Sequence, residues 1–179
     1  MRAIHYAAFY GHLSCVKLMI EQGGVPIDSP GAKRMTALHI AASRGHYDLV
    51  EYLLEKEAKI NLKDKFKRSP IILATANGQL KVLSLLLMKG GSFNDADSSN
   101  NYPVHYAAAY GFQSCLDLLK LAGADLNPQN SWNLTPLSVA MAKGHFGMVK
   151  KLLNNPECDV NCTDVEGRTI ISRATQNLS

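Results

Sequence analysis

The sequence predicts an all-α solenoid of stacked helix-turn-helix units, and three observations carry that prediction. A four-residue anchor recurs along the 179-residue chain with its last residues 34, 33, 33, 33 and 34 apart. Six residues after each of the first five anchors stands a glycine: Gly11, Gly45, Gly78, Gly111 and Gly144. A leucine-rich segment of helical period then follows each glycine. A fixed period in this range marks a repeat architecture, in which one supersecondary unit is copied and stacked.

The units can be justified in order. Arg2-Ala3-Ile4-His5 opens the first, Thr36-Ala37-Leu38-His39 the second, Ser69-Pro70-Ile71-Ile72 the third, Tyr102-Pro103-Val104-His105 the fourth and Thr135-Pro136-Leu137-Ser138 the fifth. Thr169-Ile170-Ile171-Ser172 begins a sixth. In each unit about nine residues from the anchor to the glycine form a first helix, and a segment such as Tyr47 to Glu55 forms a second. Leu49, Val50, Leu53 and Leu54 recur there at one-turn spacing. The glycine supplies the left-handed residue that stops the first helix and turns the chain back. Ala7, Ala41, Ala74, Ala107 and Ala140 form one column, where small side chains let neighbouring first helices approach. A single helix pair cannot bury both of its faces, so stability must come from stacking on neighbours.

These anchors resemble the ankyrin-repeat pattern, and the resemblance covers essentially the whole chain. Thr36-Ala37-Leu38-His39-Ile40-Ala41-Ala42-Ser43-Arg44-Gly45-His46 matches the family motif Thr-Pro-Leu-His-x-Ala-Ala-x-x-Gly-His at all but the proline. Gly123-Ala124-Asp125-Leu126-Asn127 closes one unit in the family's manner. The resemblance implies an ankyrin-repeat solenoid with protruding β-turn or hairpin fingers, forming a single domain over residues 1–179. Its units run about 2–34, 35–67, 68–100, 101–133 and 134–167, with a partial sixth over 168–179. The third unit departs most, with Ile72 and Gln79 in place of the two framework histidines, and is expected to be the least well hydrogen-bonded. Arg34 and Lys67 replace the usual turn glycine, where a positive φ is costly for them.

The chain opens on an anchor without its preceding turn and closes on one partial helix. Ile4, Val16 and Ile20 at one end, and Ile170 and Ile171 at the other, are therefore expected to be partly bare. The expectation is a stretch of a longer array, with further repeats of the same full-length chain as neighbours.

Composition narrows the function. No uncharged apolar run reaches the roughly 18 to 20 residues a membrane span requires, and no secretory leader is apparent, so membrane insertion is not expected and the cytoplasm or nucleus is. Four cysteines are too few and scattered for a disulfide framework. Cys15 and Cys115 fall at one equivalent second-helix position and read as inert core thiols. Cys158 and Cys162 flank a turn without the second pair that zinc would need.

The six histidines fall into two repeat columns, His5, His39 and His105, and His12, His46 and His145. By the resemblance these imidazoles bond backbone groups between units, and no pair has the i, i+4 spacing of a helical metal site. The sequence holds no phosphate loop, nucleophile elbow or zinc-protease motif. Neither catalysis nor a metal or cofactor is expected. Asn61, Asn94, Asn127 and Asn161 match the turn asparagine that is hydroxylated in similar repeats, which would make the chain a substrate.

What remains is a non-catalytic protein-interaction module, a scaffold or adaptor, that binds a partner segment on a concave face. The alternative is the targeting region of a larger enzyme or channel. In this family the variable turn tips, and the two residues before each glycine, carry recognition. Mapped onto this sequence, the candidates are Phe9, Tyr10, Lys33, Met35, Arg44, Lys65, Phe66, Arg68, Asn77, Tyr110, Trp132, Leu134 and Lys143. Exposed aromatics at such places are enriched in binding hot spots. Residues 31 to 68 carry nine Lys+Arg against five Asp+Glu, the whole of the net charge of +4. That excess is weak for nucleic acid and suits an acidic or extended protein segment.

Overall fold

The computed structural model describes residues 2–161. Among them the chain forms ten α-helices, one short 3-10 turn and no strand. The helices pair as α1 (Ala3–Tyr10) with α2 (Leu13–Glu21), α3 (Ala37–Arg44) with α4 (Tyr47–Glu55), and α5 (Pro70–Ala76) with α6 (Leu80–Met88). They continue as α7 (Pro103–Tyr110) with α8 (Gln113–Leu121), and α9 (Pro136–Ala142) with α10 (Phe146–Leu153).

Three of the first helices, α3, α5 and α9, start where an anchor hydroxyl caps them. The Thr36, Ser69 and Thr135 hydroxyls accept from the backbone N–H three residues on, satisfying a donor that a helix start otherwise leaves open. Proline at the first helical position of α5, α7 and α9 fits the same end. Gly45 then takes φ 79° and closes α3 with its N–H on the Ala41 and Ala42 carbonyls. A Cβ on Gly11 would lie 2.6 Å from the His46 ring, so the close approach of the next unit reinforces the choice of glycine.

The inner helices α1, α3, α5, α7 and α9 stack side by side. The alanine column predicted to permit this is buried throughout. The outer helices α4, α6, α8 and α10 stack behind them, and Tyr52 links α4 to α2 by donating to Glu21 at 3.2 Å. Leu38, Leu49, Leu53, Ile71, Leu83, Leu86, Leu119, Leu137 and Leu152 fill the layer between inner and outer rows.

Histidine bridges run in both directions. Nε2 of His5, His39 and His105 reaches forward to the carbonyls of Ser29, Arg68 and Leu134 at 2.9, 3.2 and 3.0 Å. Nε2 of His46 and His145 reaches back to the Phe9 and Ala109 carbonyls at 3.0 and 2.9 Å. In the third unit Ile72 is a buried apolar residue with no such bridge to offer, and Gln79 reaches the Ser43 carbonyl at 3.4 Å. In the fourth unit Phe112 takes the second histidine's place and packs its ring against Gly78.

Three expectations need correction. Cys15 is exposed whereas Cys115 is buried, because α8 is covered by α6 and α10 while α2 has only the following unit beside it. Ile4 and Val16 are 1% and 0% exposed, since both face the core shared with the second unit. Arg34 and Lys67 both adopt φ 59°, so the turns keep their left-handed geometry without glycine. Cys162, Ile170, Ile171 and the partial sixth unit lie outside the described residues.

Candidate partner-binding surface

Between units the chain runs out in a turn and returns, and a second column fixes each turn. The Asp64 carboxylate accepts from the N–H groups of Phe66 and Arg68 at 2.8 and 2.9 Å. Asp97 does the same for Ser99 and Asn101 at 2.8 and 2.9 Å, and Asn130 for Trp132 and Leu134 at 2.9 and 3.0 Å. An Asx side chain satisfying its own turn in this way fixes the tip without a strand ladder. In the first turn Gly31 holds the equivalent place, and the tip forms the 3-10 turn Ala32–Arg34.

The tips are also joined to one another. Lys65 N–H donates to the Lys33 carbonyl at 2.8 Å, Ser98 to Phe66 at 2.9 Å and Ser131 to Ser99 at 3.0 Å. Lys33, Phe66, Ser99 and Trp132 therefore occupy one row of equivalent positions along the rim, 33 residues apart in sequence.

Charge is divided between the two faces. The inner helices and the tips at residues 32–35, 65–68, 98–101 and 131–134 carry no carboxylate. They carry Lys33, Arg34, Arg44, Lys65, Lys67 and Arg68, and Lys143 follows directly on α9. The carboxylates nearest the tips, Asp64 and Asp97, are 4% and 8% exposed. Arg68 spends its guanidinium on Asp64 at 2.7 Å, whereas Lys33, Arg44, Lys65 and Lys143 pair with no carboxylate of the described residues. Lys56 with Glu21 and Lys151 with Asp117 pair on the outer helices and their ends, and Lys63 pairs with Asp95 at 2.9 Å between the connections that lead to the second and third tips.

The predicted residues gather in three places. Phe9 lies under the Arg44 guanidinium at 4.3 Å and meets Tyr10 edge-on at 5.1 Å. Phe66 lies between the Lys33 ammonium at 5.7 Å and the Arg68 guanidinium at 5.0 Å. Tyr110, Trp132, Leu134 and Lys143 line one open groove of about 330 Å³ between the fourth and fifth units, together with Asn101, Tyr106, Asn130, Val139 and Ala142. Met35 instead is half-buried against the core, and the Asn77 amide donates to the Leu73 carbonyl at 2.8 Å and the Ser43 hydroxyl at 3.2 Å. Met35 and Arg68 are thus partly engaged by the framework, while Asn77 stays exposed with its amide bonded.

Polar groups in the floor of the groove are engaged internally. Asn130 donates to the Asn101 side chain at 3.0 Å, and Tyr106 donates to Asp97 at 2.6 Å. Burial works against ionisation of Asp97, but bonds from Tyr106, Asn101 and Ser99 outweigh it and hold its carboxyl below the ordinary value. Burial, with that same bond, pushes the Tyr106 hydroxyl well up. Burial also lowers His39 and His105 below the usual imidazole value, so both bridges are neutral rings. Sequence reasoning missed Tyr106. Its signal was the pair Ile4-His5-Tyr6-Ala7 and Val104-His105-Tyr106-Ala107, which repeats an aromatic on the inner face.

A row of stacked helix pairs, with tips clamped in register, defines a repeat scaffold that presents one long continuous surface. The family model for ankyrin repeats in three copies matches residues 1–64, 58–130 and 104–179, and the chain belongs to that family, whose repeats are generally non-catalytic protein-interaction modules. It is similar to alpha-latrocrustotoxin-Lt1a of Latrodectus tredecimguttatus, 38% identical over 38% of this chain and 5% of that protein. It is 36% identical to mouse ankyrin repeat domain-containing protein 53 over 41% of this chain and 16% of the relative. With Drosophila melanogaster transient receptor potential cation channel subfamily A member 1 it shares 37% over 40% of this chain and 6% of the channel protein. The matched stretches thus span a small fraction of these relatives. Among the described residues no helix is long and apolar enough to cross a membrane.

Proposed function

We propose that this stretch is a non-catalytic module that binds a partner protein segment on its concave face. The observation that carries the reading is the groove between the fourth and fifth units. Tyr110 and Trp132 are each 54% exposed there, although large aromatics at a turn or helix end bury more area when a partner covers them. Phe9, Tyr10, Lys33, Arg44, Lys65, Phe66, Leu134 and Lys143 extend the same face toward the first units. The test is selection of displayed peptides on the folded chain. Enriched peptides should lose binding to Trp132→Ala and Tyr110→Ala but keep it for Lys120→Ala on the outer row. Peptides indifferent to both inner-face changes would overturn the proposal.

A second reading makes this stretch the targeting or regulatory region of a larger enzyme or channel. It draws support from the relatives, one a channel subunit by name, in which the matched portion is 5 to 16% of the protein. The full-length reading frame tests it, and the binding face is the same in both readings.

A further inference from the structure

We infer that the segment bound on this face is bipartite: an acidic run over the first two tips, and one apolar anchor side chain in the Tyr106–Tyr110–Trp132 groove. The inference rests on the concave-face reading and adds the chemistry and spacing of the partner.

Two independent observations support it. The first is charge. The inner face and tips carry several cations, and the carboxylates closest to them are buried and already bonded. Inner helices and tips that carry cations and no carboxylate are complementary to an anionic segment and repel a basic one. The cations crowd around Lys33, Lys65 and Lys67, on tips three and two units away from Trp132 at the groove.

The second observation is the groove itself. Asn101, Asn130 and Tyr106 in its floor bond one another or Asp97, so the space they enclose is walled by Tyr110, Trp132, Leu134, Val139 and Ala142. At about 330 Å³ it lies at the small end of ligand sites, a size suited to one side chain rather than a folded surface. On the rim, the Trp132 indole N–H, the Tyr110 hydroxyl and the Lys143 ammonium have no acceptor among the described residues. All three can donate to the carbonyls or carboxylates flanking an anchor.

The two sites have a fixed separation. Phe66 and Trp132 hold equivalent places two units apart, with the Ser98–Phe66 and Ser131–Ser99 bonds tying the tips between them. Packed helices lie about 8–10 Å apart, so two units span roughly 16–20 Å, which an extended chain covers in about five or six residues at about 3.3 Å each.

Synthetic peptides test this directly. Four glutamates are joined to one phenylalanine by Gly-Ser spacers of one to ten residues, in both orders, with Phe→Ala and Glu→Gln counterparts. Binding to the folded chain is measured by fluorescence anisotropy. Affinity should peak near a five- or six-residue spacer and exceed the Phe→Ala peptide by about tenfold, as expected when a linker matches its span. Trp132→Ala should erase that advantage while leaving the Phe→Ala peptide unaffected. Lys65→Glu with Lys67→Glu should weaken all the acidic peptides. Binding that depends on the lysines but ignores both the phenylalanine and the spacer overturns the bipartite inference alone. Binding indifferent to the lysines and to Trp132 overturns the concave-face reading as well. No saturable binding by any peptide overturns the inference, while the displayed-peptide selection still judges the face.

Discussion

The Tyr106 hydroxyl donates to Asp97 Oδ2 across 2.6 Å, fastening the inner helix of the fourth unit to the turn that leads into it. Asn130 clamps the next turn with an uncharged amide, so Asp97→Asn should preserve the turn and lose only the charge on the Tyr106 bond. The expected cost is about 1–2 kcal/mol near neutral pH. Because the folded carboxyl titrates below its ordinary value of 3.8, its contribution is present above that pH and lost as the pH falls through the folded value. Urea unfolding of both proteins from pH 6 to pH 2.5 should therefore show the difference shrinking toward the acid end.

The buried histidine bridges predict a loss of stability at milder acidity. His39 and His105 are held below the ordinary 6.5 chiefly by burial, opposed in part by their backbone acceptors and by Asp64 and Asp97 respectively. The unfolded chain then takes up protons first, so stability is intact above about pH 6.5 and falls as the pH drops from there through the folded values. His39→Ile, copying what the third unit does with Ile72, should lower stability at pH 7.5 and flatten this part of the profile. An unchanged slope between pH 7 and pH 5 would refute the assignment.

Arg68 and Lys65 stand three residues apart and should behave oppositely. Arg68→Ala strips the guanidinium from a fully buried carboxylate and should cost about 2 kcal/mol of stability, the range for hydrogen bonds to charged groups. Lys65→Glu should leave the melting temperature nearly unchanged, slow association with an acidic partner and weaken its salt dependence. Calorimetry and stopped-flow binding at two ionic strengths separate these outcomes.

Trp132→Ala should leave folding within about 0.5 kcal/mol, as exposed substitutions do, and cost about 1–3 kcal/mol of partner affinity if it acts as a hot spot. The unfolding midpoint and the partner Kd decide the matter. A large stability loss with unchanged affinity would make the indole a packing element between turns.

Lys67 holds φ 59° with a full side chain, a conformation that costs an L-residue roughly 1–2 kcal/mol. Lys67→Gly should recover part of that, on the order of 0.5 kcal/mol after the added freedom of the unfolded chain, and guanidinium unfolding can measure the gain.

Much of the fold was legible because the determinants are local and repeated. Glycine at the close of α3, the capping hydroxyls of Thr36, Ser69 and Thr135, and the alanine column each act within one turn or against one identical neighbour. The surface was less legible. Nothing in the local string distinguishes Arg68, whose guanidinium is consumed by a carboxylate four residues back, from Lys65, which has no such partner. Met35 occupies a variable family position, yet the core beneath it half-buries it. Cys15 and Cys115 are equivalent in sequence and differ only in what is stacked on them.

Asp64, Asp97 and Asn130 recur 33 residues apart and each rebuilds the same turn. Excision of one such period, rejoining the chain between equivalent clamps, would leave every local bond type available and shorten the rim by one step. Insertion of a period would lengthen it by the same step. The clamp thus makes the array a graduated ruler, on which the length of the rim is set by the number of marks and can change without redesign of any single one.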